Sequence, residues 1–177
     1  MESWIRWIAV PALITAAPVY AVRYLTVEQA QALLFPAGTR FTPHPLELSP
    51  EQKRAIEQAS GVRARDLRPK AWRVLDGERT AGWLFVDQVI GKHEFITYAL
   101  ALTPDGTVRG IEVMDYRETY GYEIRNAEWR RQFVGKHNSD ALKLGDDIQN
   151  VTGATLSCRH VTQGVKRLLA TYEAALK

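Results

Sequence analysis

Two periodicities divide the chain. Near the C-terminus, Cys158, Val161, Val165, Leu168, Leu169, Tyr172 and Leu176 recur at three- and four-residue steps, while Arg159, Lys166, Arg167 and Glu173 fall mostly elsewhere. That spacing predicts one long amphipathic helix starting at or just after Thr155. From Ala71 the pattern is strand-like: Trp72 to Leu75, the turn Asp76-Gly77, Thr80 to Ile90, Phe95 to Leu102, the turn Pro104-Asp105-Gly106, and Val108 to Met114. Asp-Gly turns between β-branched and aromatic runs predict an antiparallel meander, half buried, with helices on one face. The expected fold class is α+β: an antiparallel β-meander sheet packed with helices and followed by the C-terminal amphipathic helix.

Upstream of the sheet, Thr26 is placed to cap a short helix from Val27 to Leu34, stopped by Phe35-Pro36-Ala37-Gly38. Pro43 and Pro45 make Phe41 to Leu48 a loop or extended connector. Ser49-Pro50-Glu51-Gln52 is a strong helix start, with Ser49 as cap, Pro50 in the first turn and Gln52 set for a capping box, running to Ser60-Gly61. After the meander, Asp115 to Arg125 carries Tyr116, Arg117, Glu118, Thr119, Tyr120, Gly121, Tyr122 and Glu123, a set too polar and aromatic for a buried strand. Asn126 then caps a short helix holding Trp129 and Phe133 and ended by Gly135, and Lys136 to Asp147 loops back. Sheet end, short helix and final helix are expected to converge on one cleft.

At 177 residues the length suits one domain with a sizeable core. Residues Trp7 to Ala21 modify this: an apolar run behind a short head with one Arg, with small residues at Val19 and Ala21 suited to cleavage. It reads as a secretory signal with a mature start near Val22, which places the body of the protein in the periplasm or otherwise outside the cytoplasm. An uncleaved inner-membrane anchor is the second reading, although the run is short of the roughly 20 residues a span needs. The expected organisation is a signal peptide over 1–21, an N-terminal helical segment over 22–67 and the main domain over 68–177. One cysteine, Cys158, excludes an internal disulfide and any multi-cysteine metal or iron–sulfur site. It lies on the apolar face of the final helix and reads as packing. A formal charge of +3 arises from interspersed Lys and Arg without a basic run, so no nucleic-acid site is expected.

Candidate chemistry narrows to one place. No Gly-rich dinucleotide loop, nucleophile elbow or Cys/His dyad is present. His93-Glu94 sits in a hairpin turn where neighbours point to opposite faces, and no pair of histidines has metal-ligand spacing. In contrast, Asn150-Val151-Thr152-Gly153-Ala154-Thr155-Leu156-Ser157 sets a small, hydroxyl-rich turn directly in front of the final helix. Thr152, Thr155 and Ser157 can cap that helix or meet a phosphate at its positive end, and the residues alone leave both readings open.

The run Thr152-Gly153-Ala154-Thr155 resembles the Ser/Thr-Gly-Ala-Thr signature of the FMN-binding domains found in the RnfG and NqrC subunits of ion-translocating electron-transfer complexes. Glu118-Thr119-Tyr120-Gly121 is similar to the family's Glu-Thr-Pro-Gly segment, and Trp129 and Phe133 follow at the spacing of its short Trp/Phe helix. In order and distance the resemblance covers Trp83 to Leu169, about half the chain. It implies FMN joined through a phosphodiester to Thr155 by a flavin transferase of the ApbE type, and an electron carrier between a membrane or periplasmic donor and acceptor rather than a stand-alone catalyst. It also implies a cofactor site of Thr152, Gly153, Ala154, Thr155, Ser157, Glu118, Thr119, Tyr120, Gly121 and Trp129. There Tyr120, Tyr122, Trp129 and Phe133 would form a ring slot or plain core. Two positions depart from the family: Tyr120 stands for its Pro, and Gln149 for the Asp three residues before the first hydroxyl. A second reading follows from Gln149, a binding or assembly module of the same fold without covalent flavin.

Overall fold

The computed structural model describes residues 25–64 and 68–177, so the signal or anchor expected over residues 1–21 and the start near Val22 lie outside it. Five strands form one antiparallel sheet in chain order: β1 (Arg40–Pro43), β2 (Lys70–Asp76), β3 (Arg79–Ile90), β4 (Phe95–Leu102) and β5 (Val108–Tyr116). Four α-helices accompany it: α1 (Val27–Leu34), α2 (Pro50–Ser60), α3 (Ala127–Arg131) and α4 (Thr155–Ala175), with a 3-10 turn over Tyr122–Arg125. Capping boxes start α1 at Thr26 and α2 at Ser49, each cap hydroxyl accepting from the N–H three residues on while Gln29 or Gln52 reaches back.

Helices cover both faces of the sheet, not one. On one face α4 buries Cys158, Val161, Val165, Leu168, Leu169 and Tyr172 against Phe85, Tyr98, Leu100 and Leu102. On the other, Ala30, Leu34 and Phe35 of α1 and its cap pack on Val74, Leu84, Ala99, Ala101 and Met114. Alternation along β3 and β4 therefore sorts large residues under α4 and smaller ones under α1, and both sets are apolar because neither face meets water. Ile56 of α2, with Leu48 and Ala64, packs against Ala170 of α4, and Gln52 Nε2 donates to the Ala174 carbonyl at 3.0 Å. A charged group is enclosed under α4 as well. Tyr98, fully buried, donates to Asp87, which also pairs with Arg167 of α4. Burial, with the Asp87 charge beside it, pushes the Tyr98 phenol well above its ordinary value, so it stays protonated.

Two further sequence expectations change. The expected loop or connector over Phe41 to Leu48 begins instead inside the edge strand β1, which pairs with β2 and has Pro43 ending it where a missing N–H costs no ladder bond. The sheet also runs two residues past Met114: Tyr116 is 2% exposed at the end of β5, its hydroxyl partnered by the Tyr120 carbonyl and Ser157. A polar tip with partners lets a tyrosine be buried where polarity alone suggested exposure. The outer edge of β5 is closed: Leu25 N–H donates to Met114 O, Arg130 to Ile111 O and Gly135 N–H to Val108 O.

Candidate functional site

The turn in front of α4 is not capped by any of the hydroxyls placed to cap it. Ala154 occupies the cap position with no side-chain hydrogen bond, Thr155 is the first helical residue, and no acid stands in the first turn. Among the described residues, the free N–H groups and positive end of this 21-residue helix therefore have no capping side chain at Ala154. Thr152, Gly153, Thr155 and Leu156 are exposed, whereas Ala154 and Ser157 are buried. Gly153 has φ +85°, and nothing lies within 4 Å of where its Cβ would be, so its role is backbone conformation with open space beside it.

The buried residues of the turn bind it to the segment after β5. A Cβ on Gly121 would lie 2.7 Å from Ala154 Cβ and 2.6 Å from the Tyr116 hydroxyl, so only glycine allows this approach. Ser157 Oγ and Tyr116 Oη are 3.3 Å apart, and burial, the first influence on it, raises the Tyr116 phenol above its ordinary value. From the other side, Trp129 Nε1 donates to the Gln149 carbonyl at 2.9 Å and Gln149 N–H donates to Gln132 Oε1 at 2.7 Å. The Asn150 amide donates to Thr155 Oγ1 at 3.1 Å.

The structure thus brings Gly121 onto the Thr152–Ser157 turn and gives other residues different surroundings. Glu118 is buried, its carboxylate accepting the N–H groups of His93 at 2.6 Å and Glu94 at 3.1 Å. Desolvation works to raise its pKa, but the backbone N–H groups of His93, Glu94 and Lys92 hold it below the ordinary carboxylate value. It fastens the β3–β4 turn. Trp129 and Phe133 pack edge to face at 5.0 Å within the core, both buried. Thr119, Tyr120 and Tyr122 are exposed, Tyr120 by 77% and Tyr122 by 50%, with Leu156 at 38% nearby on the first turn of α4. Asp147, upstream of the turn, is engaged by the N–H groups of Leu142 and Lys143 and by Lys136 at 2.9 Å. Desolvation opposes them, yet together they hold its carboxyl below the ordinary value.

A cavity of about 560 Å³ opens farther along α4, between His160, Gln163 and Arg167 and the strand residues Ile90, Phe95 and Thr97. It does not include the Glu118–Tyr122 segment. His160 faces the sheet, its Nδ1 within hydrogen-bond distance of the Ile90 carbonyl. Sequence reasoning places Asn150 at the head of the turn but does not foresee its contact with Thr155, nor does it bring Tyr116 to the turn. Position gave no signal for Asn150, whose contact spans five residues across a bend, and Tyr116 was assigned to a polar loop.

Residues 91–170 match the family model of the FMN-binding domain. Among curated relatives, the G subunit of the ion-translocating oxidoreductase complex of Vibrio atlanticus is 28% identical over 167 residues, covering 84% of this chain and 79% of that protein. The G subunit of the proton-translocating ferredoxin:NAD(+) oxidoreductase complex of Clostridium ljungdahlii is 33% identical over 98 residues, covering 51% of this chain and 52% of that one. Its counterpart in the ion-translocating oxidoreductase complex of Escherichia coli is 38% identical over 74 residues, 36% of each chain. The chain therefore spans about four-fifths of the first but about half or less of the others. The crystal structure of Shewanella oneidensis NqrC superposes with a TM-score of 0.52 at 20% identity, covering 66% of this chain and 63% of that one, a likeness of fold.

Proposed function

We propose that the chain is an extracytoplasmic electron-transfer protein whose FMN is joined by a phosphodiester to the Thr155 hydroxyl. The observation that carries this reading is the exposed Thr155 at the start of a helix that no side chain caps. The residues fit the group. The uncapped N-terminus favours an anionic phosphate, the open space at Gly153 lets a ribityl chain pass, and Thr152 adds a second exposed hydroxyl. Tyr120, Tyr122 and Leu156 present exposed apolar surface for a planar ring beside the helix start, with Thr119 as an edge partner. When bound, FMN supplies the one- and two-electron chemistry; the protein supplies position and electrostatics. The remaining named residues act on the frame: Gly121, Ala154 and Ser157 fix the turn, Trp129 holds it through Gln149, and Glu118 fastens the strand turn behind it.

The relatives are subunits of membrane ion-translocating oxidoreductase complexes, which supports a donor and an acceptor within such an assembly. Among the described residues no helix is long and apolar enough to cross a membrane. Export unfolded through that segment makes attachment outside the cytoplasm, by a flavin transferase of the ApbE type, the economical order of events. The test is expression in the periplasm with and without the transferase, followed by denaturation and in-gel flavin fluorescence. Fluorescence is expected to migrate with the wild-type chain only when the transferase is present, and to vanish in Thr155→Ala. Intact mass gives the start, expected near Val22. An unmodified wild-type chain beside a modified control protein would favour the second reading, a flavin-free assembly module, for which Gln149 speaks.

A further inference from the structure

The Thr155 hydroxyl is the single atom on which the proposed attachment turns, and it is held. Thr155 lies in the first turn of α4 with its side chain exposed, and its Oγ1 accepts a hydrogen bond from Asn150 Nδ2 at 3.1 Å. Two groups ahead of the turn are committed elsewhere: Asp147 to Lys136 and the Leu142 and Lys143 amides, and the Gln149 backbone to Trp129 and Gln132. We infer that Asn150 is the positioning residue for flavin attachment, fixing the Thr155 hydroxyl in the rotamer that receives the phosphate. The inference rests on the covalent reading above and adds the residue that makes the hydroxyl ready.

The chemistry explains why a donor is useful there. A phosphodiester forms only from an activated phosphate, which flavin adenine dinucleotide supplies as an anhydride. Thr155 Oγ1 bonds to the flavin-side phosphorus, the P–O anhydride bond breaks, adenosine monophosphate leaves with the bridging oxygen, and the hydroxyl proton passes to a base of the transferase. Nothing is oxidised or reduced. By donating, Asn150 occupies one lone pair of Oγ1 and leaves the O–H free to face that base. A held nucleophile spares the transferase the loss of rotamer freedom at the moment of reaction.

The test uses the full mature chain, a purified transferase and flavin adenine dinucleotide, with flavin fluorescence on the denatured chain read against time and chain concentration. Asn150→Ala is expected to lower the maximal rate about fivefold, the factor one net hydrogen bond carries, with KM for the chain and melting temperature unchanged. Asn150→Ser, polar but too short to reach, is expected to behave as Ala does. In a Thr155→Ser background, where the hydroxyl loses the restriction of β-branching, Asn150→Ala is expected to cost more than it does beside Thr155. Equal rates for wild type and Asn150→Ala overturn the inference while leaving attachment at Thr155 intact, as does a full rate in Asn150→Ser. A wild-type chain that takes no flavin at all overturns both.

Discussion

Substituting Gly121 by alanine isolates the contact that ties the segment after β5 to the turn before α4. Gly121 and Gly153 have nearly the same backbone, φ +90° and φ +85°, so an L-residue at either pays the left-handed penalty of about 1–2 kcal/mol. Their surroundings differ. A methyl at position 153 meets nothing within 4 Å, whereas at position 121 it would lie 2.6 Å from the Tyr116 hydroxyl and 2.7 Å from Ala154 Cβ. Carbon contacts settle near 3.5–4.0 Å, so both neighbours must give way, and overpacking of this kind costs about 1–3 kcal/mol more. At roughly 2–4 °C per kcal/mol for a chain of this size, Gly153→Ala should lower Tm by about 2–8 °C and Gly121→Ala by a further 2–12 °C or so. Thermal unfolding followed by circular dichroism measures both. Adding Ala154→Gly should recover part of the Gly121→Ala loss and none of the Gly153→Ala loss. A Gly121→Ala protein that melts no lower than Gly153→Ala would refute the packing argument.

Two further perturbations test the frame. Glu118→Ala leaves the His93 and Glu94 amides without their acceptor and should cost about 1–3 kcal/mol in urea unfolding at neutral pH. Because the folded Glu118 pKa is depressed, its contribution is complete above the unfolded value near 4.3 and is lost as pH falls toward the folded value. The wild-type acid branch below about pH 4.3 should therefore be steeper than that of Glu118→Ala, and equal slopes would contradict this account. Gly164→Ala ought to help a helix by about 1 kcal/mol, but here its Cβ would run into the Tyr98 hydroxyl and Val89. We expect a net loss of about 1–3 kcal/mol in urea unfolding, smaller in a Tyr98→Phe background, and a raised midpoint for Gly164→Ala alone would argue against that clash.

Periodicity made the scaffold readable: the strands of the meander, the capped starts of α1 and α2 and the start of α4 at Thr155 all follow from spacing and cap chemistry. What spacing could not carry was the third dimension. The run Phe95 to Leu102 is apolar on both sides, which is the mark of a sheet covered twice, but spacing alone does not say that α1 supplies the second cover. Residues 40–43 hid as a strand because Pro43 reads as a breaker unless its place at an edge is known. At the turn, composition points to the right stretch but leaves capping and phosphate binding both open for its hydroxyls, while the structure gives the cap position to Ala154. The Asn150 contact and the burial of Glu118 depend on how loops fold across one another, and no periodic pattern records that.

The closed edge of β5 bears on how such a chain fares before its cofactor arrives. A sheet that ends in open ladder groups invites a second copy to add a strand. Here a backbone amide, an arginine and the Gly135 turn occupy one side, and the opposite border is four residues long and ends in proline. A folded copy thus exposes little template for strand addition, which limits aggregation through the sheet.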